Sequence, residues 1–193
     1  MRDALEAGTG TSFGYLHAIC ATPDMNSLYL TKQDEWVEEI LKNKRLLLQS
    51  PSPWSPNYEW LLAEVKTAAL LYDWIEEKQE DILLQHFNVG PGDVRSKVEI
   101  AKWLLHAMRE LARQYNFDAV TPLTNLILRV EHGCHEELLD LVKLQGIGRV
   151  RARSLYTAGF KSINNLRAAS IRRLAAIPYI GEKIARSIKD QVD

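Results

Sequence analysis

Two short segments near the end of the sequence have residue types and spacing that suit phosphate binding. The first, LQGIGRVRARSL, spans residues 144–155 and follows the pattern apolar-x-Gly-apolar-Gly-x-x-x-Ala-x-x-apolar. Gly146 and Gly148 permit a tight turn and let the backbone approach a phosphate with no Cβ in the way. The amides after Gly148 open a helix, whose N-terminal dipole and N–H groups favour an anion. The spacing therefore predicts a helical hairpin that binds a sugar-phosphate backbone.

The pattern recurs 33 residues later in a degraded form, IPYIGEKIARSI, over residues 177–188. Gly181 takes the place of Gly148, but Tyr179 replaces the first glycine and Glu182 follows the second. Two such half-units at a fixed offset are typical of a tandem helix-hairpin-helix module. Basic side chains accompany both turns, which favours sequence-independent DNA binding over a hairpin that only packs. The predicted DNA contacts are Gly146, Ile147, Gly148, Arg149, Arg151, Arg153, Gly181 and Lys183.

The arginines of the first turn do not share one helical face. Arg149 and Arg153 are i,i+4 neighbours, whereas Arg151 lies roughly on the opposite face. Arg151 is therefore expected either to join the DNA contacts or to contact the bundle or another domain.

The charge distribution favours a polyanion partner for this part of the chain. Residues 1–134 hold 13 Lys and Arg against 19 Asp and Glu, whereas residues 135–193 hold 11 against 6. From Lys143 to Arg173 there are eight bases and no acid. Binding of such a segment to nucleic acid releases counterions from the phosphates. A solvated basic face is the alternative, and composition alone would favour it.

A second group of candidates lies on a helix predicted to begin at Asp93. Basic side chains form a stripe at about 90° to its core face on a helical wheel. Trp103 lies nearly opposite that core face, so its ring must be exposed, contact another domain or stack on a base. The stripe either holds a nucleic-acid backbone or is only solvated. The core face comprises Val94, Val98, Ala101, Leu105, Met108 and Ala112, and the stripe comprises Arg95, Lys102, His106, Arg109 and Arg113.

The elements that position these residues are all predicted to be helical. β-Branched alternation is missing, and the 10 Gly and 7 Pro cluster in a few connectors. The composition shifts at about Gly133, so we predict an all-α protein with a helical bundle over 1–133 and a small tandem helix-hairpin-helix domain over 134–193. The predicted helices include one over 12–21 with a Ser cap, one from Asn26 or Ser27 to about Leu48, one that Asn57 caps, one from Asp93 and one with Pro122 in its first turn.

Composition and missing motifs exclude several classes of function. The chain of 193 residues is 46% hydrophobic and 25% charged, as in globular proteins, and no stretch approaches the roughly 18 apolar residues of a membrane span. It has no secretory signal, and its two cysteines fit a reducing cytosol. The absence of GxxxxGK[ST], HExxH and CxxC motifs argues against a self-contained nucleotide hydrolase or zinc enzyme. His132, Cys134 and His135 are interpreted as an ordinary helix boundary, with no metal site.

Four segments together resemble the C-terminal region of archaeal HELQ-like, Ski-two-type DNA helicases. The resemblance covers nearly the whole chain in order. In that family two motor domains and a winged helix precede a helical bundle, the ratchet domain, which closes over single-stranded DNA and is followed by a helix-hairpin-helix domain. The segments are TPDM (22–25), NYEWLLAEVKTAALLYDWIEEK (57–78), VGPGDVRSKVEIAKWLLHAM (89–108) and LVKLQGIGRVRARSLYTAGF (141–160).

The resemblance implies a role for each candidate group. Residues 93–115 would be the ratchet helix with Trp103 stacked on a base, and the hairpin of 149–153 would grip the exiting strand and help to restrain the motor. The family usually places a second base-contacting arginine two turns before the tryptophan, where this chain has Ser96. The grip is therefore expected to be weaker or arranged differently. The ratchet-helix contacts are expected to be Arg95, Ser96, Lys102, Trp103 and Arg109.

The resemblance thus implies a DNA-binding module of an ATP-dependent DNA helicase that acts in replication-fork processing and repair. ATP and magnesium belong to the motor domains, so neither a cofactor nor ATPase activity is expected of this chain. The expected partners are single-stranded or forked DNA and the motor domains, and no membrane contact is expected. The protein is expected to be a monomer in the cytoplasm, associated with the nucleoid. The alternative is a stand-alone helix-hairpin-helix adaptor for a DNA repair enzyme. A base-excision glycosylase would need a catalytic carboxylate well after its hairpin, where only Asp190 and Asp193 remain.

Overall fold

The computed structural model describes residues 1–8 and 10–193, and the regular elements of this part of the chain are all helical. The all-α prediction is confirmed. The chain divides into two compact units, a first unit of Met1–Glu131 and a second unit of His132–Asp193. Their boundary lies two residues before the one predicted after residue 133. Within the described residues, no helix is long and apolar enough to cross a membrane.

The first unit is built around α2, which is buried on nearly all sides. Its residues from Phe13 to Cys20 are all buried, and it packs against α4 and α6. Asn57 is the N-cap of α4, although its side chain makes no capping hydrogen bond. The helices of this unit are α1 (Arg2–Glu6), α2 (Ser12–Cys20), α3 (Trp36–Asn43), α4 (Tyr58–Ile75), α5 (Glu80–Phe87), α6 (Pro91–Tyr115) and α7 (Val120–His132), whose last residue begins the second unit, with a 3₁₀ turn at Phe117–Ala119.

Two helix starts differ from the predictions. The cap of α2 is Thr11, whose hydroxyl accepts a backbone N–H of the first turn at 3.1 Å, and not Ser12. Helix α6 begins at Pro91, two residues before Asp93. A proline at the first helical position loses no intrahelical hydrogen bond, because that N–H has no partner inside a helix. The Asp93 carboxylate accepts the Gly90 N–H at 2.8 Å, so this acid closes the first turn of the helix that it was predicted to begin.

The long helix predicted to end near Leu48 is wrong, because only Trp36–Asn43 is helical in that segment. The cause lies in α4, where the Lys66 ammonium is 2% exposed. It donates to the Tyr29 carbonyl at 2.9 Å and to the Asp34 carboxylate at 2.8 Å. The buried ammonium thus ties both residues to α4, and this tertiary contact overrides the helix propensity of the segment.

The second unit consists of short helices around a small apolar core. Ser162 and Ser170 cap two of them, each accepting a backbone N–H of the following turn. Helix α12 packs against α10 and α11. After a 3₁₀ turn at Glu136–Leu138, the helices are α8 (Leu139–Val142), α9 (Arg149–Thr157), α10 (Ile163–Arg167), α11 (Ile171–Ala175) and α12 (Gly181–Val192). The core includes Ile147, Ala152, Leu155, Leu166, Leu174, Ile180, Ala185 and Ile188.

Candidate nucleic-acid interface

The first hairpin, residues 144–149, has an open backbone turn. Gly146 has a φ of +82°, in the left-handed region that favours glycine. Gly148 is extended, with φ −84° and ψ 178°, and is the N-cap of α9. A Cβ built at either glycine would meet no heavy atom of the described residues within 4 Å. A strand can therefore approach the start of α9, where the first N–H groups of a helix have no acceptor within the helix.

The second hairpin, residues 177–182, repeats the sequence pattern but not the backbone geometry. Tyr179 has a left-handed φ of +66° in place of the first glycine. Gly181 has a φ of +58°, whereas Gly148 is extended. Glu182 adds a carboxylate to the first turn of α12. The dipole of a helix attracts phosphates to this N-terminal end, and the carboxylate opposes that attraction. The second hairpin thus differs from the first in both shape and charge.

Arg151 joins the two hairpins. Its Nη1 donates to the Gly146 carbonyl at 2.7 Å, and its Nε donates to the Tyr179 carbonyl at 3.0 Å. Gly146 and Tyr179 hold equivalent positions in the two sequence repeats, and both have left-handed φ values. Two N–H groups of Arg151 are therefore used inside the hairpin pair, and its predicted contact with DNA stays a prediction.

The other predicted cations of the second unit have different surroundings. Arg149 is half-buried at the start of α9, and Lys183 is exposed on α12. Arg153 donates from Nη2 to the Glu137 carboxylate at 3.0 Å. Partial burial raises the pKa of Glu137, but the hydrogen bond and positive charge of Arg153, together with a backbone hydrogen bond, outweigh it and hold the pKa below its usual value. Part of the charge of Arg153 is therefore balanced within the protein.

The outward side of α6 carries an exposed aromatic ring. Trp103 is 60% exposed, and Arg95 and Ser96 are exposed two turns earlier. The opposite side agrees with the helical wheel, because all six predicted core residues are buried: Val94, Val98, Ala101, Leu105, Met108 and Ala112.

The predicted basic stripe of α6 is partly neutralised. The Lys102 ammonium lies 3.3 Å from the Glu131 carboxylate, and the Arg109 guanidinium lies 3.1 Å from that of Glu110. Arg95 forms no ion pair with any residue that the structure describes. Of the three cations predicted to contact DNA on this helix, Arg95 is the one with its charge directed to solvent.

A cleft of about 1120 Å³ within the first unit contains groups that the sequence did not single out. Lys97 lines it and is 9% exposed, together with Cys20 and the exposed rings of Tyr29 and Trp60. Burial lowers the pKa of Lys97 and raises that of Cys20. The helical wheel held a signal for the burial of Lys97, because this residue falls about 60° from Val94 and so borders the core face.

Within the described residues, His132, Cys134 and His135 belong to no group of side chains placed to hold a metal ion. Across residues 1–8 and 10–193, no group of three or more His, Cys, Asp or Glu side chains is placed to hold a metal ion.

Comparison with known families accounts for both units. The family model described as "Archaeal helicase, domain 4" matches residues 13–133. The model described as "SAM-like Helix-hairpin-helix tandem" matches residues 138–193. The resemblance that the sequence motifs indicated is therefore confirmed, as is the bundle followed by a hairpin tandem.

Individual relatives are similar over most of this chain. It is 44% identical over 185 residues to the ATP-dependent DNA helicase Hel308 of Methanocella arvoryzae. The aligned residues cover 93% of this chain and 25% of that relative. The Hel308 of Caldivirga maquilingensis is 46% identical over 138 residues (70% and 18%), and that of Pyrococcus horikoshii is 38% identical over 178 residues (91% and 25%). The chain thus spans about a quarter or less of the length of these relatives.

Proposed function

The chain belongs to the archaeal helicase domain 4 family, and we propose that it is the DNA-binding, C-terminal part of an ATP-dependent DNA helicase. In this role it holds single-stranded or forked DNA during replication-fork processing and repair. The named relatives are ATP-dependent DNA helicases, of which it spans about a quarter. ATP and magnesium would bind to motor domains of such a protein. The sequence itself has no phosphate loop, so we expect the chain alone not to hydrolyse ATP.

The observation that carries the proposal is the concentration of positive charge at the open start of α9. Arg149 and Arg151 lie in its first turn, and no acid accompanies them there. Cations at this end oppose the helix dipole, and a bound anion removes that repulsion. The open glycines of the first hairpin give a phosphate access to this position. A sugar-phosphate backbone satisfies both conditions without any reading of base sequence.

Helix α6 supports a second contact with DNA, made by a base. A ring that is 60% exposed, as in Trp103, offers a stacking face, and stacking of this kind tolerates any base. Arg95 supplies an exposed charge for the backbone beside it. Because Ser96 cannot replace the guanidinium that the family usually has there, the contact depends more on the tryptophan than it would with an arginine at that position.

DNA binding by the intact chain at several salt concentrations tests this function. We expect a labelled single strand and a fork to bind with micromolar or weaker affinity, and the affinity to fall steeply as salt rises. We also expect the protein to be monomeric and nucleoid-associated in the cell. A dimer that binds a repair enzyme but shows no salt-dependent DNA binding would favour the adaptor and refute the proposal. ATP hydrolysis on addition of DNA would refute the expectation of no ATPase activity.

Replacement of Trp103 separates the α6 contact from the fold. Trp103→Ala is expected to weaken single-strand binding by about 1–3 kcal/mol, roughly 5- to 150-fold, because one stacked base is lost. Circular dichroism should be unchanged, since most of the ring is exposed. A large loss of helical signal would show that the ring is structural and is not a base contact.

A further inference from the structure

We propose that Tyr179 is a base-stacking residue, which the second hairpin presents to an unpaired base of the strand that the first hairpin binds. This inference rests on the proposed DNA-binding function. It assigns a role to the residue that makes the second sequence repeat look degraded, because Tyr179 stands where the first repeat has Gly146.

The ring is displayed at a backbone position that is unfavourable for a side chain of its kind. Tyr179 is 70% exposed and has a φ of +66°. A bulky residue rarely adopts a left-handed conformation, and glycine at the same position would avoid the strain. Strained residues persist where the surrounding structure holds them, and they cluster at sites of binding and catalysis. An exposed and strained aromatic side chain at a turn therefore indicates a ligand contact.

Three interactions hold the turn rigid. Arg151 donates to the Tyr179 carbonyl at 3.0 Å and to the Gly146 carbonyl at 2.7 Å. The Ile180 N–H closes the turn on the Ile177 carbonyl at 3.2 Å, and both isoleucines are buried beneath it. The backbone that carries the ring is thus held beside the first hairpin, which lowers the entropy cost of stacking on a strand bound there.

The second hairpin suits a base better than a phosphate. Gly181 is left-handed, so the turn lacks the extended N-cap that Gly148 provides. The Glu182 carboxylate, ion-paired with Arg186 at 2.5 Å, places an acid in the first turn of α12, which makes this helix start less attractive to a phosphate than that of α9. An aromatic ring carries no such penalty, and it stacks on the face of any base. Because bases within a duplex are already stacked, the matching ligand is single-stranded DNA or the unpaired arm of a fork.

Fluorescence anisotropy with the intact chain and two labelled strands of equal length, one normal and one abasic, tests the assignment. Tyr179→Gly removes the ring and fits the left-handed backbone, so its thermal midpoint should be no lower than that of the unaltered chain. We expect it to weaken binding of the normal strand roughly 5- to 150-fold. Binding of the abasic strand and the salt dependence should not change.

Two further variants control for the ring and for exposure. Tyr179→Phe keeps the ring and should bind the normal strand as the unaltered chain does. Tyr29→Ala removes a tyrosine that is 92% exposed elsewhere, and it should also leave binding unchanged.

Two results would overturn the assignment while DNA binding itself stands. The first is unchanged affinity of Tyr179→Gly for the normal strand. The second is an equal loss of affinity for both strands, which would make Tyr179 a backbone contact. Failure of the unaltered chain to bind either strand would instead overturn the proposed function.

Discussion

Replacement of Arg151 with methionine is expected to destabilise the second unit without changing the number of phosphate contacts. The substitution removes two hydrogen bonds, of 2.7 Å to the Gly146 carbonyl and 3.0 Å to the Tyr179 carbonyl. A hydrogen bond to a charged group contributes about 1.5–3 kcal/mol when it is well shielded from water. Arg151 is only half-buried, and in the variant water can hydrogen-bond to both carbonyls. We therefore expect the free energy of unfolding to fall by about 1–3 kcal/mol for the two hydrogen bonds together.

Unfolding by heat and by urea, followed by circular dichroism, measures this loss. A unit of about 60 residues loses roughly 4–8 °C of its midpoint for each kcal/mol of free energy. Lys183→Met is the matched control, because it removes an exposed cation from the same unit. It should leave the midpoint unchanged but make the dependence of log affinity on log salt shallower by about 0.7 for a single strand. Arg151→Met should lower the thermal midpoint and leave the salt dependence unchanged.

An exchange of behaviour between the two variants would contradict the structural role of Arg151. A chain with Arg151→Met that unfolds like the unaltered protein, and whose salt dependence is shallower by about 0.7, would place the guanidinium on a phosphate. The hydrogen bonds between the hairpins would then contribute little to the stability of the second unit.

Arg149→Ala combined with Arg153→Ala should weaken DNA binding by the same factor for strands of different sequence, as anisotropy can measure, since these cations contact the backbone. Asp34→Asn should cost about 3–5 kcal/mol of unfolding free energy in urea, because it leaves the buried Lys66 ammonium without its counter-charge. Lys97→Met should raise the unfolding free energy in the same assay by about 1 kcal/mol, since it removes a buried charge and keeps a chain of similar length.

A different result would contradict the expectation for each of these variants. Unchanged affinity in the double arginine variant would remove the first hairpin from the interface. For Asp34, burial raises the pKa, but hydrogen bonds from Lys66 and Thr31 outweigh it and the pKa is lowered. Its contribution is therefore present above the unfolded pKa of about 3.9 and is lost as pH falls through the lower folded value. If Asp34→Asn left the acid unfolding profile unaltered, the stabilising role of the Asp34–Lys66 pair would be contradicted. Destabilisation by Lys97→Met would show that the Lys97 ammonium has a structural partner.

Periodic patterns could be predicted from the sequence because they are local. The wheel of α6 placed six residues in the core and Trp103 outside it, since a period of 3.6 residues decides the side on which each residue lies. The segment before α3 could not be predicted in the same way. Its conformation depends on Lys66, whose partner Asp34 is 32 residues away in sequence, and no local pattern reveals that pair. The prediction of a helix there used propensity, which tertiary contacts override.

The candidate site shows the same limit at the level of single side chains. Glycine spacing located both turns, yet the same spacing produced an extended residue at Gly148 and a left-handed one at Gly181. The helical wheel placed Arg151 on a different face from Arg149 and Arg153, which agrees with the hydrogen bonds of Arg151. The partner of Arg151 could not be predicted from the sequence, because Tyr179 is 28 residues away along the chain.

The bridge made by Arg151 has no counterpart in the second repeat. The equivalent position, 33 residues later, is Ile184, which has no hydrogen-bonding group on its side chain. The second repeat holds the first by a different contact, in which the Gln191 side chain of α12 accepts the Gln145 N–H at 2.7 Å and donates to the Gln145 carbonyl at 3.2 Å. An open glycine turn on one side and a held tyrosine on the other offer different groups to a nucleotide. If Tyr179 stacks on a base as we propose, the second repeat differs from the first because it binds a different part of the nucleotide.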